Sequence, residues 1–382
     1  MSRIDSFEPN MCCGCMACAE ICPQEAIYMH EDEKGFLVPI IDDAKCVNCG
    51  VCLNVCDFKK TPQTESNIEK AYSLVINDQD ILKKSTSGGA FTALSDVVLE
   101  RSGYVVGSIM ENDFTIRHVI TIDKNERDKM RGSKYVQSNT MGIWKSIREL
   151  LSQGKVVLFT GTPCQCAALK SFLGKEYDNL IVVDFLCHGV PNNRMFKEHI
   201  KYLNSYYKAE SVGYSFRDKT FGWDGYNNVL NLANGKRKTQ WINQIYYSFF
   251  VSNLSLRLSC HQCPYRSYYR PSDITIADFW GIDKLTGHTN RDGVSLVLVH
   301  SKKGFNLLNQ AQEKCQVREY PTESVLFRIQ TAPSKANLNC EVFWKTYLED
   351  GYTGVANKFF NNSFKNRVLF EVRKIAKILR IR

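Results

Sequence analysis

The chain has 382 residues, 44% of them hydrophobic and 12% aromatic, enough to build cores for two or more domains. Its net charge of +9 is uneven: residues 1–60 carry ten acidic and five basic side chains, a balance of −5, whereas residues 357–382 carry eight basic side chains and Glu371, a balance of +7. A basic tail alone gives no broad nucleic-acid footprint, no run has the apolar length of a membrane span, and Met1–Asn10 lacks the basic and apolar regions of a secretory signal.

Residues 1–60 read as one module with an internal repeat. Its first half holds Cys12-x-x-Cys15-x-x-Cys18-x-x-x-Cys22-Pro23, and its second half holds Cys46-x-x-Cys49-x-x-Cys52-x-x-x-Cys56. This is the spacing of a bacterial ferredoxin with two cubane [4Fe–4S] clusters. Three close cysteines supply one face of a cube, and the fourth must come from elsewhere. The expected sets are therefore crossed: Cys12, Cys15, Cys18 and Cys56 for one cluster, Cys46, Cys49, Cys52 and Cys22 for the other. Zinc is the bland rival, but zinc sites usually pair two Cys-x-x-Cys elements. Cys13 is a spare thiol, and Asp57 stands where the first run has Pro23. Sixteen cysteines without a secretory signal predict reduced thiols and a cytoplasmic protein.

Residues 61–70, polar and Pro-containing, read as a linker. A larger body follows, in an N-terminal part over 71–175 and a C-terminal part over 176–352. Strands are expected at Ala71–Ile76, Tyr104–Met110, Thr115–Ile122, Lys155–Phe159 and Leu180–Phe185. Helices are expected at Gly89–Glu100, Gly142–Leu151, Cys164–Phe172 and Arg194–Leu203. The alternation predicts a mainly parallel α/β sheet. Further on come strands at Asn228–Leu232, Asp273–Ala277 and Val294–His300, and a helix near Gly304–Glu313. The whole reads as an α+β multidomain protein: a small two-cluster ferredoxin fold, then a larger mixed α/β body.

Ser85–Phe91 lies between a strand and a helix, where small residues let backbone amides approach a phosphate; a plain helix cap explains it equally well. Thr162 can cap a helix beginning at Pro163, which places Cys164 in a first turn that favours thiolate. Cys187 follows the next strand in the same way. Both sit past the carboxyl ends of neighbouring strands, the face where α/β sheets bind ligands. With Cys260 and Cys263 they make four thiols, enough for a third cubane. The alternatives are a redox-active dithiol of Cys164 and Cys166, or buried cysteines without chemistry. Cys166, Cys315 and Cys340 have no partner pattern.

Six blocks together resemble the coenzyme F-420 hydrogenase/dehydrogenase beta-subunit family, with a fused two-cluster ferredoxin. They are Ser85–Phe91, Arg131–Ser138, Gly161–Gln165, Cys187–Pro191, Ser215–Lys219 and Ser272–Gly281. The resemblance covers nearly all of residues 1–300. It implies FAD beside the iron–sulfur clusters, with Ser87, Gly88 and Gly89 meeting the pyrophosphate and Lys134, Tyr135, Gln137 and Ser138 near the flavin. It also implies an oxidoreductase that exchanges hydride with a small-molecule donor or acceptor, coenzyme F-420 or another reducible substrate, and passes electrons to or from a redox protein partner. A non-catalytic electron-transfer subunit is the alternative. Arg131 and Lys134 read equally as solvated charge, Asp278–Gly281 as a buried corner, and His188 as structural.

The tail, 353–382, ends in a basic amphipathic stretch. Val368, Val372, Ile375 and Leu379 share one face, with Arg373, Lys377 and Arg380 around the other. Such a helix suits an anionic membrane surface, a partner subunit or the protein's own body.

Overall fold

A computed structural model describes residues 3–4, 8, 11–59, 65–225, 227–287, 291–326 and 331–379. The expected linker lies partly outside them, at 61–64, as does Arg380.

The N-terminal module contains helix α1 (Ala17–Ile21), the antiparallel hairpin of β1 (Ile27–Glu31) and β2 (Leu37–Ile41), and helix α2 (Val51–Asn54). The helices follow the two cysteine loops. Each begins after a residue in the left-handed region, Met16 at φ 66° and Gly50 at φ 74°, so both halves make the same reversal.

The body opens with β3 (Lys70–Ile76), α3 (Gln79–Lys84), α4 (Ala90–Leu99), β4 (Tyr104–Met110), β5 (Ile116–Thr121) and α5 (Lys124–Asp128). There follow α6 (Ile143–Ser152), β6 (Val157–Thr160), α7 (Pro163–Leu173), β7 (Leu180–Phe185) and α8 (Asn193–Tyr207). Next come β8 (Ser211–Asp218), β9 (Asn227–Leu232), β10 (Arg237–Lys238), α9 (Ile245–Val251), β11 (Ile274–Asp278) and α10 (Ile282–Thr286). The chain then forms β12 (Ser295–Val299), α11 (Lys302–Ala311), β13 (Cys315–Tyr320), α12 (Glu323–Leu326), α13 (Cys340–Phe359) and α14 (Phe364–Leu379).

Eight strands form one sheet in the order β13-β3-β12-β11-β7-β6-β4-β5, drawn from both sides of residue 175. Only its centre, β4-β6-β7-β11, is parallel; the remaining pairs are antiparallel. The expectation of a mainly parallel sheet is thus corrected to a mixed one. β4 and β5 are joined by a tight turn, and a hairpin is antiparallel by construction; the other antiparallel pairs, β11–β12, β12–β3 and β13–β3, join strands that no tight turn connects.

Side chains alternate across this sheet as the two-residue period requires. Val105, Leu158 and Val183 face α4 and α11. Val106, Val157, Phe159 and Val182 face α6, α7 and the ferredoxin module. A second, three-stranded sheet, β10-β9-β8, packs with α8, α9 and α13 in an aromatic core around Phe196, Phe216, Tyr246 and Phe343.

The small module is tied to the body. Glu20 accepts from the amides of Gly142 and Lys145 at the start of α6 (2.8 and 3.0 Å). Trp144 Nε1 and Thr140 Oγ1 both donate to the Cys15 carbonyl at 2.9 Å. Arg194 donates to Glu31 and to the Asp32 and Glu33 carbonyls.

Helix α14 has two faces. Phe370 packs on Trp241 at 5.4 Å between ring centres, Lys374 donates to the Thr239 carbonyl, and Lys377 pairs with Asp224 at 3.0 Å. Phe364, Val368, Val372 and Ile375 form an exposed apolar stripe. Among the described residues no helix is long and apolar enough to cross a membrane.

Candidate functional site: three cysteine sets and an arginine–aspartate corner

The twelve cysteines singled out in the sequence fall into three sets, each lining its own cavity. Cys12, Cys15, Cys18 and Cys56 line one. Cys22, Cys46, Cys49 and Cys52 line a second, which reaches the surface at the exposed Cys49. Cys164, Cys187, Cys260 and Cys263 line a third, inside the body. The crossing expected from the spacing is therefore the crossing the fold makes: Cys22 lines the second cavity and Cys56 the first. Among the described residues no three His, Cys, Asp or Glu side chains are grouped as one metal ion would need. Thiols spread around a cavity suit the corners of a multi-iron cube better than a single zinc ion.

Local chemistry positions the body set. Thr162 caps α7 in a capping box with Gln165, and Pro163 is the first helical residue, so Cys164 sits in the first turn as its sequence predicts. The Cys13 thiol beside it, with Thr162 Oγ1 at 3.1 Å and the Gln165 amide, pulls Cys164 down to about 7 against its burial. Burial pushes Cys187 up, and pushes Cys260 and Cys263 up to about 11 and about 12. Binding iron as thiolates would release those protons. Cys166 takes no part: its thiol is fully buried, contacts the Gly161 and Val183 carbonyls at 3.7 Å and is pushed well up by burial. That geometry disfavours the dithiol reading of Cys164 and Cys166.

Several residues of this site carried no signal in the sequence. Arg257, 2% exposed, donates to the Cys12 carbonyl at 2.7 Å, to Leu37 O at 2.8 Å and to Gln137 Oε1 at 3.0 Å, and reaches Cys12 Sγ at 3.4 Å. It also lines the body cavity, so one buried cation serves both modules. Arg270 pairs with Asp184 at 2.9 Å and donates to the Phe185 and Tyr265 carbonyls. It thereby fixes the end of β7, just before Cys187, against the loop after Cys263. A lone arginine in a sequence gives no hint of such a partner.

The blocks behind the family resemblance converge on a second place. Ser133 N donates to Thr86 Oγ1 at 2.9 Å, and Lys219 Nζ donates to Ser87 O at 2.7 Å. Arg217 donates to Tyr135 OH at 3.2 Å and pairs with Asp278 at 2.9 Å. Trp223 Nε1 donates to Asp278 at 2.9 Å and its ring stacks on Trp280 at 4.5 Å. The Asp278–Gly281 block is thus part corner, with Phe279 fully buried, and part surface, with Trp280 at 36% exposure. Lys134 is not a solvated charge: its ammonium donates to the carbonyls of Met130, Arg131 and Gly132 (3.0–3.2 Å), and burial pulls it down to about 7. Arg131 likewise pairs with Asp128 and donates to Thr92 Oγ1.

Ser87, Gly88 and Gly89 lead into α4 as expected, but protein already occupies part of this turn. Ser87 Oγ donates to Val294 O at 2.7 Å. A Cβ at Gly88 would fall 2.0 Å from Leu74 O, so close packing by β3 alone demands glycine there. Gln137 and Ser138, which the resemblance places near a flavin, both make hydrogen bonds within the protein. Gln137 Nε2 donates to the Cys13 and Gly14 carbonyls at 2.8 and 3.3 Å, and Ser138 Oγ accepts from Gln165 at 3.0 Å. Buried carbonyls on the ferredoxin loop need donors, and Gln137 supplies them. His188 Nε2 meets Asn253 Oδ1 at 2.7 Å, and its ring stands edge-on to Phe250, which stacks on Tyr135 at 4.6 Å. Aromatic contact thus runs from beside Cys187 to the arginine–aspartate corner.

Residues 11–60 match the model of a 4Fe-4S dicluster domain. Residues 154–324 match the model of the C terminus of the coenzyme F420 hydrogenase/dehydrogenase beta subunit. An uncharacterized protein of Methanocaldococcus jannaschii is 24% identical over 346 residues, 80% of this chain and 88% of that one. The coenzyme F420-dependent sulfite reductase of the same organism is 22% identical over 314 residues; the match covers 80% of this chain but spans only 47% of that protein. A chain of the F420-reducing [NiFe] hydrogenase complex from Methanosarcina barkeri superposes with a TM-score of 0.46 at 17% identity, over 78% of this chain and 94% of that one.

Proposed function

We propose that this chain, in which a 4Fe-4S dicluster domain is joined to the C-terminal domain of the coenzyme F420 hydrogenase/dehydrogenase beta-subunit family, is an iron–sulfur flavoprotein oxidoreductase. In this reading Cys12, Cys15, Cys18 and Cys56, then Cys22, Cys46, Cys49 and Cys52, then Cys164, Cys187, Cys260 and Cys263 hold three cubanes. Ser87, Gly88, Gly89, Lys134 and Tyr135, around the start of α4, would hold FAD. The hydride partner is coenzyme F420 or another reducible small molecule. When bound, cubanes supply one-electron steps and a flavin supplies both one- and two-electron steps, which is why the two belong together.

The residues have distinct tasks. The amides at the start of α4 offer positive potential to an anionic pyrophosphate. The Arg217–Asp278 pair and the Trp223–Trp280 stack hold the rim of that region rigid. Arg257 and Gln137 hold the ferredoxin loop against the body. The exposed Cys49 edge, on an acidic module, is the face offered to an external redox protein.

The observation that carries this reading is the sorting of the twelve cysteines, four apiece, among three cavities. Anaerobic reconstitution with iron, sulfide and FAD tests it. The expected product holds about twelve iron atoms and one FAD per chain, and Cys187→Ser or Cys260→Ser removes about four iron atoms while sparing the rest. Iron near eight per chain in the intact protein refutes the third site. Full iron without retained flavin selects the second reading, a non-catalytic electron-transfer subunit. That alternative is favoured by the protein contacts already made by Ser87 Oγ and Gly88.

A further inference from the structure

Cys13 belongs to none of the three sets, yet it stands between two of them. A small apolar cluster of Cys13, Phe58, Ala167 and Tyr265 packs against Cys15 and Cys56 on one side and against Cys164 and Cys263 on the other. Among the residues lining the first ferredoxin cavity and the body cavity, Cys13 alone is common to both. It is 9% exposed, and both Cys15 and Cys164 pack against the cluster that contains it. Its backbone is fixed as well: Gln137 donates to its carbonyl at 2.8 Å, and Arg257 donates to the preceding carbonyl at 2.7 Å. Tyr265 closes the same wall and donates to Asp57 at 2.8 Å.

We propose that Cys13 is the contact through which the first ferredoxin site and the body site exchange electrons, its one S–H donated to the ligand sulfur of Cys15 or Cys164 and its sulfur packed against the other. This rests on the reading that both cavities hold cubanes. The step is a one-electron transfer: one site is oxidised by one electron, the other is reduced by one, and Cys13 keeps its proton and forms no covalent bond. A donor to ligand sulfur favours the reduced, more negative state and raises the potential. A hydrogen-bonded thiol also replaces a through-space gap with a continuous path. Cys13 is a positioning residue in this scheme and not a ligand.

The test uses the reconstituted full chain with Cys13→Ala, which removes the donor, and Cys13→Ser, which keeps a hydroxyl of similar size. Three quantities are read: iron per chain, cluster midpoint potentials by redox titration, and the paramagnetic interaction between the two reduced sites. Iron is expected to stay at about twelve atoms per chain in both variants. In Cys13→Ala the reduction equilibrium of the affected sites shifts about tenfold toward the oxidised form, as loss of one hydrogen bond would give; that is about 60 mV for one electron. The magnetic interaction weakens. Cys13→Ser restores most of both signals. Loss of about four iron atoms in Cys13→Ala would make Cys13 a ligand and overturn the proposal. So would full iron with unchanged potentials and unchanged interaction, which would leave it a packing residue. Wild-type protein that binds only about eight iron atoms refutes the body cluster itself, and the bridge falls with it.

Discussion

Asp184 and Arg270 meet at 2.9 Å with side chains 0% and 2% exposed, an ion pair almost wholly withdrawn from water. Burial pushes Asp184 up, and Arg270 first among its neighbours opposes that. Removing one partner of such a pair costs about 3–5 kcal/mol, because the other charge is left uncompensated. Arg270→Met should therefore lower stability by that amount in denaturant unfolding, and adding Asp184→Asn should recover part of the loss. Both residues sit directly behind cysteines of the body site, so iron retention should fall with Arg270→Met as well. The eight N-terminal cysteines were legible because they recur at a fixed spacing. Arg257, Arg270 and Asp184 were not, because a hydrogen bond between residues far apart in the chain leaves no local pattern. Gln137 and Ser138 were legible only by resemblance, which named them without fixing the direction of their side chains.

At the scale of elements, the short helix α1 and the longer α6 are joined by Glu20. Its carboxylate accepts two amides at the start of α6, where a negative charge also meets the positive end of the helix. Glu20→Ala should cost about 1–2 kcal/mol, as loss of a helix cap does, and should speed proteolytic cleavage between the ferredoxin module and the body. Helix α14 is the second case. Its apolar stripe over Val368, Val372 and Ile375 is legible from helical spacing, and the structure leaves that stripe exposed. The opposite face, Phe370 with Lys374 and Lys377, holds the helix to the body. Phe370→Ala should remove about 1 kcal/mol of aromatic contact with Trp241 and should quicken amide hydrogen exchange over residues 364–379. A helical wheel shows where apolar residues gather but not which face a neighbour takes.

At the scale of the whole molecule, three histidines are buried as neutral groups in separate parts of the fold. Burial lowers His118 to about 4, and His199 and His300 to about 3, from an ordinary 6.5. Their folded values lie below the unfolded one, so the native state binds fewer protons in the acid range. Stability is full above pH 6.5, falls as pH drops through the window from 6.5 to 3–4, and levels off below it. Between pH 7.5 and 5 each histidine should cost about 2 kcal/mol. Urea unfolding at the two pH values measures the sum, and His118→Asn should flatten the dependence by one such increment.

The sequence by itself determined the two cysteine runs, the cap that seats Cys164, and most strands and helices between 70 and 311, though not α3, α5, β8, β10, α9 or α10. Those features depend on spacing of a few residues, on turn chemistry and on local periodicity, all of which lie along the chain. Only the tertiary structure decided that the sheet is mixed, that the ferredoxin module docks through Glu20, Gln137 and Arg257, and that Cys13 stands between two cysteine sets. These depend on which distant surfaces bury one another, and burial between remote segments is set by the packing of the complete chain.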